Sequence, residues 1–280
     1  MASDISLTAG MRNNLLSLQN TVALLDRTQD RLATGKKVNT ALDDPGAYFK
    51  SKNLNDRAGD IGLLKDNMGQ AIQTVQAADK GIKAITSLVQ AAKALAEQAK
   101  MADAAGDTAS VATYITQIND MNDQIDNIVA ASGYQGMNLL NKNGVTIGGT
   151  GTATTTSLTV AFEAGSLDIK AIGVDSGGLG LISLGTASDI GTAIDKLGSA
   201  LTTLRTEAET LAASLSIVQI QINFTTDMQN VLTIGADKLV LADMNEEGAN
   251  MLMLQTRQSL STTALSLSAQ AAQSVLRLFG

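Results

Sequence analysis

Two pairs of adjacent carboxylates are the residues of this sequence whose types and spacing could do chemistry. Asp43 and Asp44 stand directly before Pro45, and Glu246 and Glu247 lie near the C-terminal end. Neighbouring carboxylates can act in general acid–base catalysis or bind a divalent cation. Asp followed by Pro is also typical of a helix start, because the aspartate caps free amides and proline fits the first helical position. We interpret the aspartates as helix caps and the glutamates as solvated charges on a helix face.

The composition removes most forms of catalysis. The chain has no cysteine and no histidine, so it lacks thiolate chemistry, disulfides, and the side chain that most often serves as general base or metal ligand. A Gly- and Thr-rich tract at 148–156 lacks the Gly-Lys-Ser/Thr ending of a phosphate-binding loop. We therefore predict that the protein is not an enzyme and has no catalytic residue, no cofactor and no metal site.

Charge and hydropathy patterning disfavour two further classes of partner. The formal net charge is −7 and the sequence pI is near 4.6, which argues against nucleic acid because phosphates require clustered basic residues. We expect no membrane insertion, since no uninterrupted apolar run reaches roughly 18 residues. The acidic charge also disfavours a membrane-lytic or export-chaperone role. The first ten residues lack the basic and apolar regions of a secretory signal peptide.

Long helices must position these residues. Hydrophobic residues make up 44% of the chain and aromatic residues only 2%, a balance typical of long packed helices. Apolar residues recur at alternating steps of three and four, the spacing of a coiled-coil seam. The most regular series has ten members: Ile190, Ile194, Leu197, Leu201, Leu204, Ala208, Leu211, Leu215, Val218 and Ile222. The N-terminal helix carries a similar series: Met11, Leu15, Leu18, Val22, Leu25 and Leu32.

Two further helices are predicted between these. The first runs from about residue 45 to 101 and is followed by a reversal at 103–107 (DAAGD). Its apolar positions are Ile61, Met68, Ile72, Val75, Ile82, Val89, Ala92 and Ala96. The next helix has the series Val111, Ile115, Ile118, Asn122, Ile125 and Val129. We expect the polar Asn122 to fix the register of this seam.

The C-terminal stretch 239–280 carries two apolar series. The first is Met253, Leu260, Ala264, Leu267, Ala271 and Leu278, and the second is Met251, Leu254, Leu265, Ala272, Val275 and Phe279. Because a surface helix needs only one apolar face, two faces imply packing partners on two sides. We predict that the helix within 5–35 covers one of them.

The middle of the chain differs in composition. Residues 141–185 are rich in Gly, Thr and Ser, with short strand-like runs at 145–147, 158–162 and 167–174. The predicted fold is therefore mainly α: a long coiled-coil helical rod with a small β-rich insert at its tip and with paired N- and C-terminal helices. We predict three parts, namely 1–44 with 238–280 as a terminal coiled coil, 45–140 with 186–237 as a helical rod domain, and 141–185 as a small outer insert.

Two thin terminal helices cannot bury all of their own apolar residues. Burying one leucine gains about 1.5–3 kcal/mol, so the uncovered residues favour association with further copies. A repeated contact between unlike surfaces does not close and makes a helical filament. The predicted self-association residues are Leu15, Leu18, Val22, Leu25, Leu32, Leu254, Leu260, Leu265, Leu267, Val275, Leu278 and Phe279.

Three blocks of sequence resemble the bacterial flagellins. They are residues 31–44 (RLATGKKVNTALDD), residues 134–140 (YQGMNLL), and a C-terminal block that includes Ala242-Asp243, Glu246-Glu247, 255–258 (QTRQ) and 269–280. Each block alone is modest, but their order and spacing are specific, and the resemblance covers both ends, about two-thirds of the chain.

The resemblance implies a structural subunit of the flagellar filament that is exported unfolded through the flagellar type III apparatus and polymerises outside the cell. Its implied partners are other flagellin subunits, in a homopolymer or a mixed filament, and the export apparatus, an export chaperone, the filament cap and hook-junction proteins. The alternative is a flagellin-like hook–filament junction protein. A further hypothesis is O-linked glycosylation at Thr152, Thr154, Thr155 and Thr156, where hydroxyl groups are dense.

Overall fold

The structure, a computed structural model, describes residues 9–142 and 157–279. Five α-helices and one β-hairpin make up most of this part of the chain. The helices are α1 (Ala9–Thr34), α2 (Pro45–Ala104), α3 (Thr108–Ala131), α4 (Ile190–Val240) and α5 (Met244–Phe279). The strands are β1 (Ser157–Phe162) and β2 (Gly165–Lys170). The predicted mainly α class, with a small β insert and with the terminal helices α1 and α5 packed together, is confirmed.

The chain folds into two compact units. The terminal unit consists of the described parts of 1–58 and 230–280, and the central unit of those of 59–229. Both boundaries fall inside a helix, one in α2 and the other in α4. The three-part division derived from the sequence stays a prediction.

The core of the central unit is a seam between α2, α3 and α4. Alternate members of the ten-residue series on α4 are buried, and the intervening members are half-buried and pack against the same core. Facing residues of α2 and α3 are equally buried: Ile82, Ile85, Val89, Ile118, Ile125 and Val129. The members of the ten-residue series on α4 are therefore core residues, as the spacing predicted, whereas Ile85 of the same core belongs to none of the predicted series.

Capping residues define several helix ends. Asp107 accepts a hydrogen bond from the amide of Ser110 (3.1 Å) at the start of α3, after the predicted reversal, where Gly106 has φ +78°. A capping box at Thr186 and Asp189 opens the short 3₁₀ turn that leads into α4. Gly35 ends α1 with φ +70°, a conformation that glycine adopts without steric cost.

Residues 134–140 form a tight connection between α3 and the insert. Gln135 and Gly136 both have positive φ in the turn. The Asn138 side chain donates to the Val129 carbonyl (2.6 Å) and accepts from the Leu140 amide (2.9 Å). A Cβ added at Gly81 of α2 would overlap side chains of this region, so the YQGMNLL block closes the end of α3 against α2.

The β-hairpin is shorter than predicted. Its antiparallel register pairs Ser157 with Lys170 and Phe162 with Gly165. The predicted run at 167–174 continues past the observed strand, because β2 ends at Lys170, and the amides of Ile172 and Val174 donate to the carbonyls of Leu139 and Leu140 instead of to β1. The predicted run at 145–147 lies outside the described residues.

Asn122, which the sequence predicted to fix the register of its seam, bonds to the backbone of the segment before α4. Its side-chain amide donates to the Ile182 carbonyl (3.3 Å). One turn earlier, Asn119 donates to the Leu184 carbonyl (3.0 Å) and accepts from the Leu184 amide (2.9 Å). Extended backbone has unpaired amides and carbonyls that an asparagine side chain can satisfy. These two asparagines therefore hold the segment before α4 against α3.

The C-terminal apolar stretch is not one helix. Residues 239 and 240 belong to α4, and α5 starts at Met244, with Asp243 accepting from the amide of Asn245 (2.9 Å) as a cap. Between the helices Leu241 forms an antiparallel bridge with Lys36. The connection from α1 to α2 and the connection from α4 to α5 are therefore bonded to each other in the terminal unit.

Candidate self-association surface

Helix α1 lies against α5 through an unexpected line of residues. The residues that α1 buries are Thr21, Leu25 and Thr28, whereas the sequence predicted a seam of leucines. Thr21 can be buried because its hydroxyl donates to the Ser17 carbonyl of its own helix (2.8 Å). On α5, Leu254 is buried. Of the predicted series on α1, only Leu25 is buried, and its other members are half-buried or exposed.

An ion pair joins the C-terminal end of α1 to the first turns of α5. Arg31 Nη1 donates to Glu247 Oε1 at 2.7 Å, and the Glu247 side chain is only 8% exposed. The prediction that Glu247 lies on a solvated face was wrong, because Arg31, from the far end of the sequence, covers it. Glu246 is exposed, as predicted. The burial of Glu247 makes this contact specific: an unpaired carboxylate here would be strongly unfavourable.

The aspartates before α2 are helix and turn caps. Asp44 Oδ1 accepts from the Ala47 amide (3.0 Å) at the start of α2, as predicted. Asp43 Oδ2 accepts from the amides of Thr40 (2.9 Å) and Asn39 (3.1 Å). The Thr40 amide above all, then that of Asn39, lowers the pKa of Asp43 below its ordinary value, because both bonds stabilise the ionised form.

The two carboxylate pairs meet across one open cleft. The cleft has a volume of about 360 Å³ and is lined by side chains of both signs, including Arg31, Lys37, Asp43, Asp44 and Glu247. Within the part of the chain that the structure describes, no group of three or more carboxylates could hold a metal ion. The carboxylates that line this cleft serve as helix or turn caps and as ion-pair partners within the terminal unit.

The predicted self-association residues fall into four groups. Leu15, Leu260 and Leu267 are exposed. Leu18, Val22, Leu32 and Leu265 are half-buried. Leu25 and Leu254 are buried within the chain, in the contact between α1 and α5. The side chains of Val275, Leu278 and Phe279 lie outside those that the structure describes, as do Thr152, Thr154, Thr155 and Thr156 of the glycosylation hypothesis.

Other exposed apolar residues lie on the same two helices. Leu16 and Leu24 on α1 and Leu252 on α5 belong to none of the series read from the sequence, and Met253 on α5 belongs to a predicted apolar series but not to the predicted self-association set. Adjacent leucines, such as 15–16 and 24–25, point to different sides of a helix. Such doublets signal apolar surface beyond a single seam. These residues are further candidates for the same surface, and the predicted set of self-association residues stays a prediction.

Both ends of the chain match one protein family. The bacterial flagellin N-terminal helical region matches residues 5–144, and the bacterial flagellin C-terminal helical region matches residues 194–279. The chain belongs to the bacterial flagellin family. Flagellin is structural, so this flagellin is a structural subunit of the flagellar filament, and the hook–filament junction alternative is not favoured.

Relatives extend over the full length of this flagellin. Flagellin FljM of Caulobacter vibrioides is 29% identical and flagellin FljO of the same organism 27% identical, each alignment covering 99% of this chain and 98% of the relative. A flagellin of Brucella melitensis biotype 1 is 37% identical over 97 residues, 34% of each chain. The crystal structure of Bacillus cereus flagellin has a TM-score of 0.49 at 20% identity and covers 57% of this chain and 88% of that one. Among the described helices, none is long and apolar enough to cross a bilayer.

Proposed function

We propose that this flagellin polymerises by burying the exposed apolar faces of α1 and α5 against neighbouring copies. The observation that carries the proposal is the exposure of large apolar side chains on both helices, among them Leu15, Leu16, Leu260 and Leu267. Because their buried faces are already used in pairing with each other, the outer faces have no partner among the described residues. Each leucine so covered would contribute about 1.5–3 kcal/mol.

The charge pattern supports the same surface. No charged residue occurs at 13–25 of α1 or at 258–276 of α5. Interface cores are depleted in charged residues relative to other surfaces. In a chain of net charge −7, copies repel each other least where both are neutral. A contact between unlike faces of two copies extends into a filament when its rotation does not close a ring.

Seeded elongation of purified protein tests this surface. Leu260 and Leu63 are both 66% exposed, but Leu63 lies on α2 close to the charged residues Asp60, Lys65 and Asp66. Leu260→Asp should raise the critical concentration for elongation at least about tenfold, the equivalent of about 1.4 kcal/mol. Leu63→Asp, the matched control, should leave it within about twofold of the unchanged protein. Elongation of Leu260→Asp at the control's rate would refute the proposed surface.

We also propose the secretion route that the family resemblance implies: export of the unfolded chain through the flagellar type III apparatus, with help from an export chaperone, and addition of the subunit beneath the filament cap, beyond the hook-junction proteins. Fusing a stably folded domain to this flagellin should retain the product inside cells. The same fusion with a destabilised form of that domain should reach the medium. Equal secretion of both fusions would argue against export in the unfolded state.

A further inference from the structure

Methionine is the most readily oxidised residue type in this chain. The sequence contains ten methionines but no cysteine and no tryptophan, so its sulfur chemistry is confined to thioethers. A thioether takes up one oxygen atom from a peroxide and becomes a sulfoxide, which is polar where the thioether was apolar. The exposure of each methionine in the fold therefore decides which sulfur atoms react first.

Three methionines among the described residues are exposed, namely Met101, Met244 and Met253. Met101 lies three residues before the end of α2, in the central unit, and Met244 is the first residue of α5. The other described methionines are half-buried, apart from Met68, which is buried in the core of the central unit. An oxidant in solution therefore reaches the three exposed sulfur atoms before the others.

Of these three, Met253 lies in line with leucines of the proposed self-association surface. Steps of seven residues place Met253, Leu260 and Leu267 along one side of α5, and all three are exposed. Nine residues separate Met244 from Met253, which puts the two methionines on opposite sides of the helix. Met253 therefore combines an accessible sulfur atom with a position in the surface that polymerisation would cover.

We propose that Met253 is a site of oxidative modification, at which hydrogen peroxide or a related two-electron oxidant blocks addition of the subunit to the filament. The sulfur atom donates a lone pair to one peroxide oxygen, the O–O bond breaks, and the second oxygen leaves with both hydrogens as water. The sulfur is oxidised by two electrons and the peroxide is reduced. This modification rests on the polymerisation surface proposed above and makes that surface sensitive to oxidants.

A sulfoxide at Met253 opposes burial of the surface around it. Its oxygen is a hydrogen-bond acceptor that water solvates in the free subunit. Covering this oxygen with apolar side chains of a neighbouring copy removes the water, and burying a polar group without a hydrogen bond is unfavourable. In the filament the same neighbour would keep oxidants away from the sulfur. Oxidation therefore acts on the free subunit, before it is added.

Peroxide treatment of matched leucine variants tests the site. Leucine replaces methionine at little cost in packing, so Met253→Leu and Met101→Leu should both elongate normally on seeds before treatment. The dose of peroxide is set by peptide mass spectrometry of the unchanged protein, at the point where Met253 and Met101 are oxidised and Met68 is not. Met101 is 66% exposed and Met253 54%, so both should react at this dose.

The treated proteins should then differ in elongation. The critical concentration of the unchanged protein should rise at least about fivefold, as expected for burying an unpaired polar group, and Met101→Leu, the matched control, should show the same rise. Met253→Leu should stay within about twofold of its untreated value. An equal rise in both variants, or no oxidation of Met253 at this dose, would overturn the proposal.

A polar substitution separates the effect of polarity from other effects of the oxidant. Met253→Gln should leave the circular dichroism of the monomer unchanged and raise the critical concentration at least about fivefold. Met101→Gln, the same change away from the surface, should stay within about twofold of the unchanged protein. Normal elongation of Met253→Gln would refute the site, since a polar side chain would then be tolerated there.

Reduction and protection give two further readouts. Treatment of the oxidised protein with methionine sulfoxide reductases for both sulfoxide epimers should restore the untreated critical concentration. Met253 should also oxidise at least about tenfold more slowly in the seeded filament than in the monomer, because its access to the oxidant would be lost. Failure of the reductases to restore elongation, or equal oxidation rates in monomer and filament, would contradict the proposed modification.

The polymerisation surface and the oxidation site fail in different ways. If the untreated, unchanged protein does not elongate on seeds, polymerisation itself is refuted, and the regulation by oxidation with it. If Leu260→Asp does not elongate while the unchanged protein oxidised at Met253 elongates normally, only the oxidation site is refuted.

Discussion

The two units of this flagellin bury their residues in opposite ways. In the central unit, α2, α3 and α4 share a continuous apolar seam whose members, such as Ile125 and Leu204, are fully buried within one chain. In the terminal unit, α1 and α5 share a thin contact that includes buried threonines and one buried ion pair. The difference teaches that the central unit has a continuous apolar core of its own, whereas the terminal helices leave most of their predicted apolar residues half-buried or exposed.

The largest effect should come from a cavity in the seam. Leu204→Ala should lower the free energy of unfolding of the central unit by about 2–5 kcal/mol, because it removes buried contacts that the neighbours cannot replace. Urea denaturation followed by circular dichroism measures this. Leu63→Ala, the same change at an exposed leucine, should shift it by less than about 0.5 kcal/mol. A similar loss in both variants would show that the seam is not the stabilising core.

The second largest effect, a weakening of the contact between α1 and α5, should be confined to the terminal unit. Glu247→Gln leaves Arg31 without its counter-charge and should weaken the α1–α5 contact by about 2–3 kcal/mol, below the full range for a buried pair because Arg31 is partly exposed. Hydrogen exchange should show faster exchange in α1 and α5 and no change in α3.

Two variants serve as controls for the ion pair. Glu246→Gln changes the exposed neighbour and should leave exchange as it is. Replacing both partners, Arg31→Met with Glu247→Leu, should restore slow exchange, since a packed apolar pair can replace a buried ion pair. Unchanged exchange in Glu247→Gln alone would show that the ion pair does not hold these helices together.

A smaller loss of stability should follow removal of the Asn119 side chain, which bonds the segment before α4 in the central unit. Asn119→Ala removes both hydrogen bonds to Leu184 and should cost about 1–2 kcal/mol. The amide of Leu184 should then exchange faster in the variant, while the amides of the buried α4 seam keep their protection. Retained protection at Leu184 would show that another group holds the segment before α4.

The smallest effect is a loss of stability at low pH, and it should be similar in both units. The pKa values of Asp43 in the terminal unit and Asp107 in the central unit are lowered below 3.8, chiefly by hydrogen bonds from Thr40 and Ser110, respectively. Each carboxylate therefore contributes stability that is fully present above pH 3.8 and is lost as the pH falls through the lower folded-state value. Carboxyl ¹³C shifts should titrate below 3.8 at both residues; a midpoint at or above it would contradict the hydrogen bonds.

The spacing of residues in the sequence was sufficient to predict the structure where the contacts are local or the repeat is regular. The ten-member series on α4 and the cap at Asp44 depend on spacing within one helix, and the structure confirms them. The Arg31–Glu247 pair joins residues 216 positions apart, and nothing near either residue in the sequence indicates the other. The sequence also did not predict the burial of polar residues. A threonine whose hydroxyl bonds to its own helix can be buried as readily as a leucine.

In the terminal unit, hydrogen bonds between two backbone connections couple the terminal helices mechanically. The crossings from α1 to α2 and from α4 to α5 run side by side, where Lys37 donates to the Val240 carbonyl (2.8 Å) and Ala242 to the Gly35 carbonyl (3.0 Å). A pull on one terminal helix alone would have to shear these bonds. A force that acts on both helices together leaves these hydrogen bonds unstrained. The bonded connections therefore make α1 and α5 respond to force as a single unit.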